Sequence, residues 1–119
     1  MVLVGVVVAL LAIKFQKYDD YDKRDFIDSS SYQAVFLTND QIYFGHLKNI
    51  NFNYLILSDV HYVKVNEDGV GQIVKLGVIE PHGPQDKMII NQDQVLYWEN
   101  LKASSQVVET IKKLRTQEN

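Results

Sequence analysis

From Tyr32 onward, short polar breaks cut the chain into segments rich in Val, Ile, Tyr and Phe, and this punctuation constrains the fold more than any other feature. The segments are Gln33–Thr38, Gln41–Ile50, Tyr54–Val65, Gln72–Ile79, Lys87–Asn91 and Gln94–Glu99. Asn39-Asp40 is a two-residue hairpin signal, Asn51-Phe52-Asn53 a second turn, Asn66-Glu67-Asp68-Gly69 a third, and Gln92-Asp93 the last. Pro81-His82-Gly83-Pro84 breaks the chain hard, giving a rigid corner with a titratable tip. Six short strands in about seventy residues predict a mainly β fold, a small and strongly bent barrel over 32–103. Gly45 in mid-strand permits the sharp bend, or the close backbone approach, that such a barrel needs. After it, Ser104 can cap an amphipathic helix over 104–119 in which Val107, Val108, Ile111 and Leu114 share one stripe. Lys112, Lys113 and Arg115 lie near its C-terminal end, where the helix dipole favours cations.

The N-terminus has a different character. Val2–Ile13 is apolar or glycine throughout, Lys14 interrupts, and Phe15 extends the run once more. As a helix, residues 1–15 would reach about 22 Å, against a hydrocarbon core of about 30 Å. A cleaved signal peptide is disfavoured, because no Lys or Arg precedes the run and Ala9-Leu10-Leu11-Ala12 has the wrong spacing for cleavage. A buried helix is disfavoured because the run has no polar face. A short single-pass membrane anchor, finished by Lys14 and Lys17 snorkelling to the interface, fits best. Gly5 and Ala9 stand at the small-xxx-small spacing that lets membrane helices pack closely. Basic residues follow the run and none precedes it, which places the rest of the chain in the cytoplasm. A basic segment upstream would reverse that orientation. Residues 16–31 mix three Lys/Arg with five Asp and end in three serines, a charged stalk with a helical turn around Asp22–Ile27.

Val35–Ile50, with Gly45 and Leu47, followed by Leu55-Ile-Leu-Ser-Asp59, resembles the first signature of Sm-like proteins. Met88–Trp98 resembles the second, two short strands around a tight turn. The likeness covers about residues 32–100, broken by an insertion at 62–86, and implies an Sm/SH3-like barrel. It also implies assembly by edge-to-edge pairing of the last two strands, here Met88, Ile89, Ile90 and Val95, Leu96, Tyr97, Trp98. The chain is similar as well to small membrane-anchored proteins of reduced-genome bacteria in His82-Gly-Pro, Asp86-Lys-Met and Val95–Asn100. That second likeness implies no activity.

Charge and composition weigh against nucleic acid. The RNA-contacting loops of Sm-like proteins carry Asp and Asn, then Arg-Gly; here they read Asn51-Phe52-Asn53 and Asn91-Gln92, without arginine. Residues 32–103 hold five lysines against eight acidic residues, so a phosphate backbone would be repelled. The whole chain has 12 Lys+Arg against 15 Asp+Glu and no cysteine, which removes disulfides, thiol nucleophiles and Cys-based zinc sites. Among His46, His61 and His82, only Asp59 and His61 share one side of a strand, and no further ligand accompanies them. Ser58 has no nucleophile motif around it, and Gly69-Val-Gly71 is too sparse for a phosphate loop. The reading is therefore a membrane-anchored, non-enzymatic scaffold or protein-interaction module, without cofactor, metal or small-molecule substrate. It assembles through barrel edges or docks a protein partner, with Phe52, Pro81, His82 and Pro84 as contact candidates. The alternative is a membrane-tethered Sm-like RNA binder using Asn51, Asn53, Asn91 and Gln92.

Overall fold

The computed structural model describes residues 22–118. It is a mainly β domain with one C-terminal helix. The strands are β1 (Gln33–Leu37), β2 (Ile42–Ile50), β3 (Tyr54–Val65), β4 (Gly71–Lys75), β5 (Lys87–Asn91) and β6 (Val95–Asn100), followed by α1 (Gln106–Glu118). All pairings are antiparallel. The order is β4-β3-β2-β1-β6, and β5 also pairs with β3. The two partners divide β3 between them: Tyr54–Ser58 pairs with β5 and His61–Val65 with β4.

Between those halves the sheet bends. Phe44 pairs with His61 and His46 with Ser58, so Asp59 and Val60 together oppose Gly45, the two-against-one count of a β-bulge. Asp59 takes φ 51°, a left-handed conformation that Asp tolerates better than most residues. Gly45 is required by contact: a Cβ there would lie 2.5 Å from the Ser58 carbonyl oxygen and 2.8 Å from Leu57 Cγ. A second register shift between Leu47 and Asn49 bends β2 again.

The bent sheet has two apolar faces. On the inner face Val35, Leu37, Leu47, Ile50, Leu55, Leu57, Val60 and Ile90 form one core, against which Ile27, Met88, Val95 and Trp98 pack. On the other face Tyr32, Ala34 and Phe44 meet Val108 and Ile111 of α1. Of the helix stripe read from the sequence, Val108 and Ile111 form the docking face and Val107 packs beside them, while Leu114 is half-buried outside that cluster.

Several expectations need correction. The sheet is not closed into a barrel. β5 and β6 follow one another in sequence, yet among the described residues no ladder joins them. A 3-10 turn, Gln92–Gln94, instead delivers β5 to β3 and β6 to β1. The fourth strand stops at Lys75, four residues short of Ile79, because Gly77 turns the chain at φ 93° and its N–H donates to Glu80 Oε2 at 2.7 Å. The helix cap is Ser105 and not Ser104: Val108 N–H donates to Ser105 Oγ at 3.1 Å. The helical turn expected around Asp22–Ile27 is present as a 3-10 turn over Lys23–Phe26, capped by the Asp22 carboxylate.

Among the described residues no helix is long and apolar enough to cross a membrane. The anchor expected over residues 1–15, with Gly5 and Ala9, lies outside them.

Gly45→Ala should lower stability by about 2 kcal/mol or more, since the clash is with backbone that the bulge holds in place. Chemical denaturation followed by circular dichroism checks this. A midpoint equal to the parent's would mean that the bend does not need glycine.

Candidate interaction site

The residues expected at the assembly edge divide by strand periodicity. Met88 and Ile90 turn inward from β5, while Ile89 between them is 69% exposed. On β6, Val95 and Trp98 pack against the core, Tyr97 is 51% exposed, and Leu96 is 61% exposed. Tyr97 is the outer member of the adjacent aromatic pair, and its ring stacks on Phe36 at 4.3 Å. Leu96 owes its exposure to a bulge: Phe36 pairs with Tyr97 and Leu37 with Val95, so Leu96 is the extra residue.

The two loops expected to act together do meet. Gln92 N–H donates to the Asn53 carbonyl at 3.0 Å. Asn51 Oδ1 accepts from the N–H groups of Asn53 and Tyr54 at 2.8 and 2.9 Å, and Asn91 Oδ1 accepts from Asp93 N–H at 3.2 Å. Both asparagine carbonyls are thereby engaged in shaping their own turns. Around this junction lies an open concavity of about 450 Å³, lined by Phe52, Asn53, Tyr54, Ile89, Asn91 and Asp93. Phe52 is 93% exposed and continues the apolar surface of Ile89. Among the described residues that line it, the charged side chain is the acidic Asp93.

The Pro81–Pro84 corner stands apart from this edge. Glu80 organises it by accepting from Tyr62 Oη and from Gly77 N–H, while Gly83 N–H returns to the Glu80 carbonyl at 3.0 Å. The Glu80 carboxylate and partial burial push the Tyr62 phenol up to about 12. Pro81 and His82 are exposed and Pro84 half-buried.

A polar cluster that the sequence did not reveal lies where α1 meets the sheet. Asp59 accepts from Tyr32 Oη and from the Arg115 guanidinium, and Lys75 Nζ donates to it at 3.1 Å. Lys75 also pairs with Asp86 at 2.6 Å, and Asp86 accepts from Val60 N–H at 2.8 Å. Tyr32 stacks on His46 at 4.1 Å and meets His61 edge-on at 6.5 Å. Burial pushes the Asp59 carboxyl up, but the hydrogen bonds from Tyr32 and Lys75 and the charges of Lys75 and Arg115 outweigh it, so the net shift is down. Burial, then the Asp59 carboxylate, pushes the Tyr32 phenol far up, and burial pulls the His61 imidazole down. His61 Nδ1 is turned to the Asp59 backbone oxygen at 3.1 Å, so the pair expected from strand alternation is not assembled as two side-chain ligands. Among the described residues no group of three or more His, Asp or Glu side chains is placed to hold a metal ion. Tyr32, Lys75 and Arg115 converge on the Asp59 carboxylate from three different elements, an arrangement that fixes the helix to the sheet.

Gln33 was equally hidden. It is fully buried, its Oε1 accepting from Leu47 N–H at 2.9 Å and its Nε2 donating to the carbonyls of Asp28 and Ser31 and to Asn100 Oδ1. Asn100 in turn binds the Phe26 carbonyl and Asp28 N–H. These bonds tie residues 26–31 to β6.

No known protein-family model matches the chain, and a comparison with curated proteins finds no match.

Because the Asp59 carboxyl is depressed, its contribution to stability is complete above the ordinary carboxylate range and is lost as pH falls through the folded-state value. Thermal unfolding should therefore show stability falling steeply below about pH 4. In Asp59→Asn that acid-side loss should be reduced and stability at pH 7 lower. An unchanged acid profile in the variant would remove Asp59 from this role.

Proposed function

We propose that the domain is a non-enzymatic assembly module, held at a membrane by residues 1–15, in which copies meet through β5 and β6. One observation carries this reading. Each of these strands has a single strand partner among the described residues, and together they expose Ile89, Leu96 and Tyr97. An unpaired edge presents a row of backbone donors and acceptors, and apolar side chains on it favour pairing with another strand. The edges are unlike, so β5 of one copy meets β6 of the next in a head-to-tail contact, which generates a ring if the rotation closes. Phe52 and Tyr54 extend the apolar surface beside Ile89 and give such a contact more area than backbone pairing alone. The bulge at Leu96 limits the length of β6 that can pair, which favours a short, specific contact over open-ended stacking.

The competing reading is RNA binding at the loop junction. It has the meeting of the two loops in its favour. Against it stand the acidic Asp93 and the excess of acidic residues over 32–103.

The full chain in detergent micelles should show a discrete oligomeric mass by light scattering. Ile89→Glu, an exposed change that leaves the core intact, should reduce it to a monomer with an unchanged circular dichroism spectrum. An oligomer that survives the substitution would remove β5 as the contact. Binding of oligo(U) that weakens steeply with salt would favour the RNA reading instead.

A further inference from the structure

Of the three histidines His61 alone is buried, at 3% exposure, and contact between copies does not use it. Its neighbour Val60 belongs to the inner core, so the His61 side chain lies on the other face of β3, opposite Phe44 of β2 and Lys75 of β4. That is the face which α1 covers with Val108 and Ile111. His61 Nδ1 donates to the Asp59 backbone oxygen at 3.1 Å, which favours the neutral tautomer with its proton on Nδ1. A second proton, on Nε2, makes the ring a cation among groups already matched in charge. The carboxylates of Asp59 and Asp86 are taken by Lys75 and by Arg115 of α1, two acids against two bases. Tyr32 meets the His61 ring edge-on and donates its hydroxyl to Asp59, and His46 of β2 faces the same carboxylate at 4.0 Å.

We propose that protonation of His61 loosens α1 from the sheet, making this helix an acid-sensitive cover over Ala34 and Phe44. An imidazolium buried without a free counter-charge is costly, and opening the helix gives it water. Burial pulls the folded-state imidazole below its ordinary range, in line with that cost. A histidine depressed in this way leaves stability complete above the unfolded value of about 6.5, and stability falls as pH drops from there toward the folded value. The helix is the element that yields first. It has 13 residues, a length that is marginal for a helix on its own, and its buried contacts are Val108 and Ile111. The inner core of Val35, Leu47, Leu55 and Leu57 is built without it. Its opening is therefore local and costs less than global unfolding. The response lies above the range in which the depressed Asp59 carboxyl takes up a proton, so the two are separable.

Amide hydrogen exchange of the full chain in detergent micelles tests this, with rates corrected for the intrinsic effect of pH. Between about pH 7.5 and about pH 5.5, protection of the α1 amides at Ile111 and Lys112 should fall by about tenfold, the change expected when opening frees one imidazole to bind a proton. At both pH values these amides should exchange faster than those of Leu55 and Leu57. His61→Asn, whose side-chain amide can still donate to a backbone oxygen, should remove most of the pH response, and His46→Gln should keep it. In the parent chain, NMR of the His61 ring should show the neutral form at the lower pH while α1 is docked, a measurement that does not depend on any variant folding. Protection of α1 that is unchanged by pH, or equal to that of Leu55 and Leu57, would overturn the proposal. So would a charged His61 ring in the docked state, or a pH response that survives His61→Asn or is lost in His46→Gln.

Discussion

The bend between β2 and β3 is the constraint on which the rest of the structure depends. A single glycine opposes two residues, Asp59 and Val60, and the missing Cβ at Gly45 lets β3 come within a distance that any other side chain would forbid. The bend divides β3 into two ladders, one for β5 and one for β4. It curls one face of the sheet around Leu47, Leu55, Leu57 and Val60 and leaves the opposite face to α1. A straight β3 would offer one continuous edge to one partner, and neither the enclosed core nor the separate edge at β5 would exist.

Asp59 couples this backbone geometry to side-chain chemistry. Its left-handed conformation sits at the pivot, and its carboxylate collects Tyr32 from the start of β1, Lys75 from β4 and Arg115 from α1. Opposite charges within a partly shielded cluster hold the ionised form, so the pivot, the outer strand and the helix are stabilised together. Gln33 does the same for the N-terminal segment, joining residues 28 and 31 to β2 and β6. The polar groups with demanding environments are thus committed internally, and what the domain leaves open among the described residues is the outer edges of β4, β5 and β6, a rim of apolar residues and two meeting loops.

Much of the β architecture was legible because strand periodicity and turn residues are local signals. Tyr54–Val65 was bounded correctly by the turn residues Asn51–Asn53 and Asn66–Gly69, and Lys87–Asn91 by the Pro81–Pro84 break and Gln92-Asp93. The inward and outward division of Met88, Ile89 and Ile90 follows from the same period of two. Gly45 was legible as a bend because a mid-strand glycine has few other uses. Gln33 was not, because a glutamine in an alternating strand reads as a solvent-facing residue until the Asp28 and Ser31 carbonyls, the Leu47 N–H and the distant Asn100 side chain converge on it. Asp59, Lys75 and Arg115 come from positions far apart in the chain, and no spacing rule links them. The end of β4 was misplaced since Val78 and Ile79 are good strand formers, and only Gly77 with its bond to Glu80 turns them out of the sheet. Closure of the barrel was overestimated for a related reason: six strand segments reveal how many strands there are, while the 3-10 turn at Gln92–Gln94 decides which of them pair.

The central claim is that β5 and β6 are where copies meet. Amide hydrogen exchange, followed residue by residue in the full chain over a wide range of protein concentrations, tests it most directly. Protection should rise with concentration at the outward amides of Lys87–Asn91 and Val95–Asn100, while that of Gly71–Lys75 stays constant. Exchange at β5 and β6 that is fast and independent of concentration would contradict it.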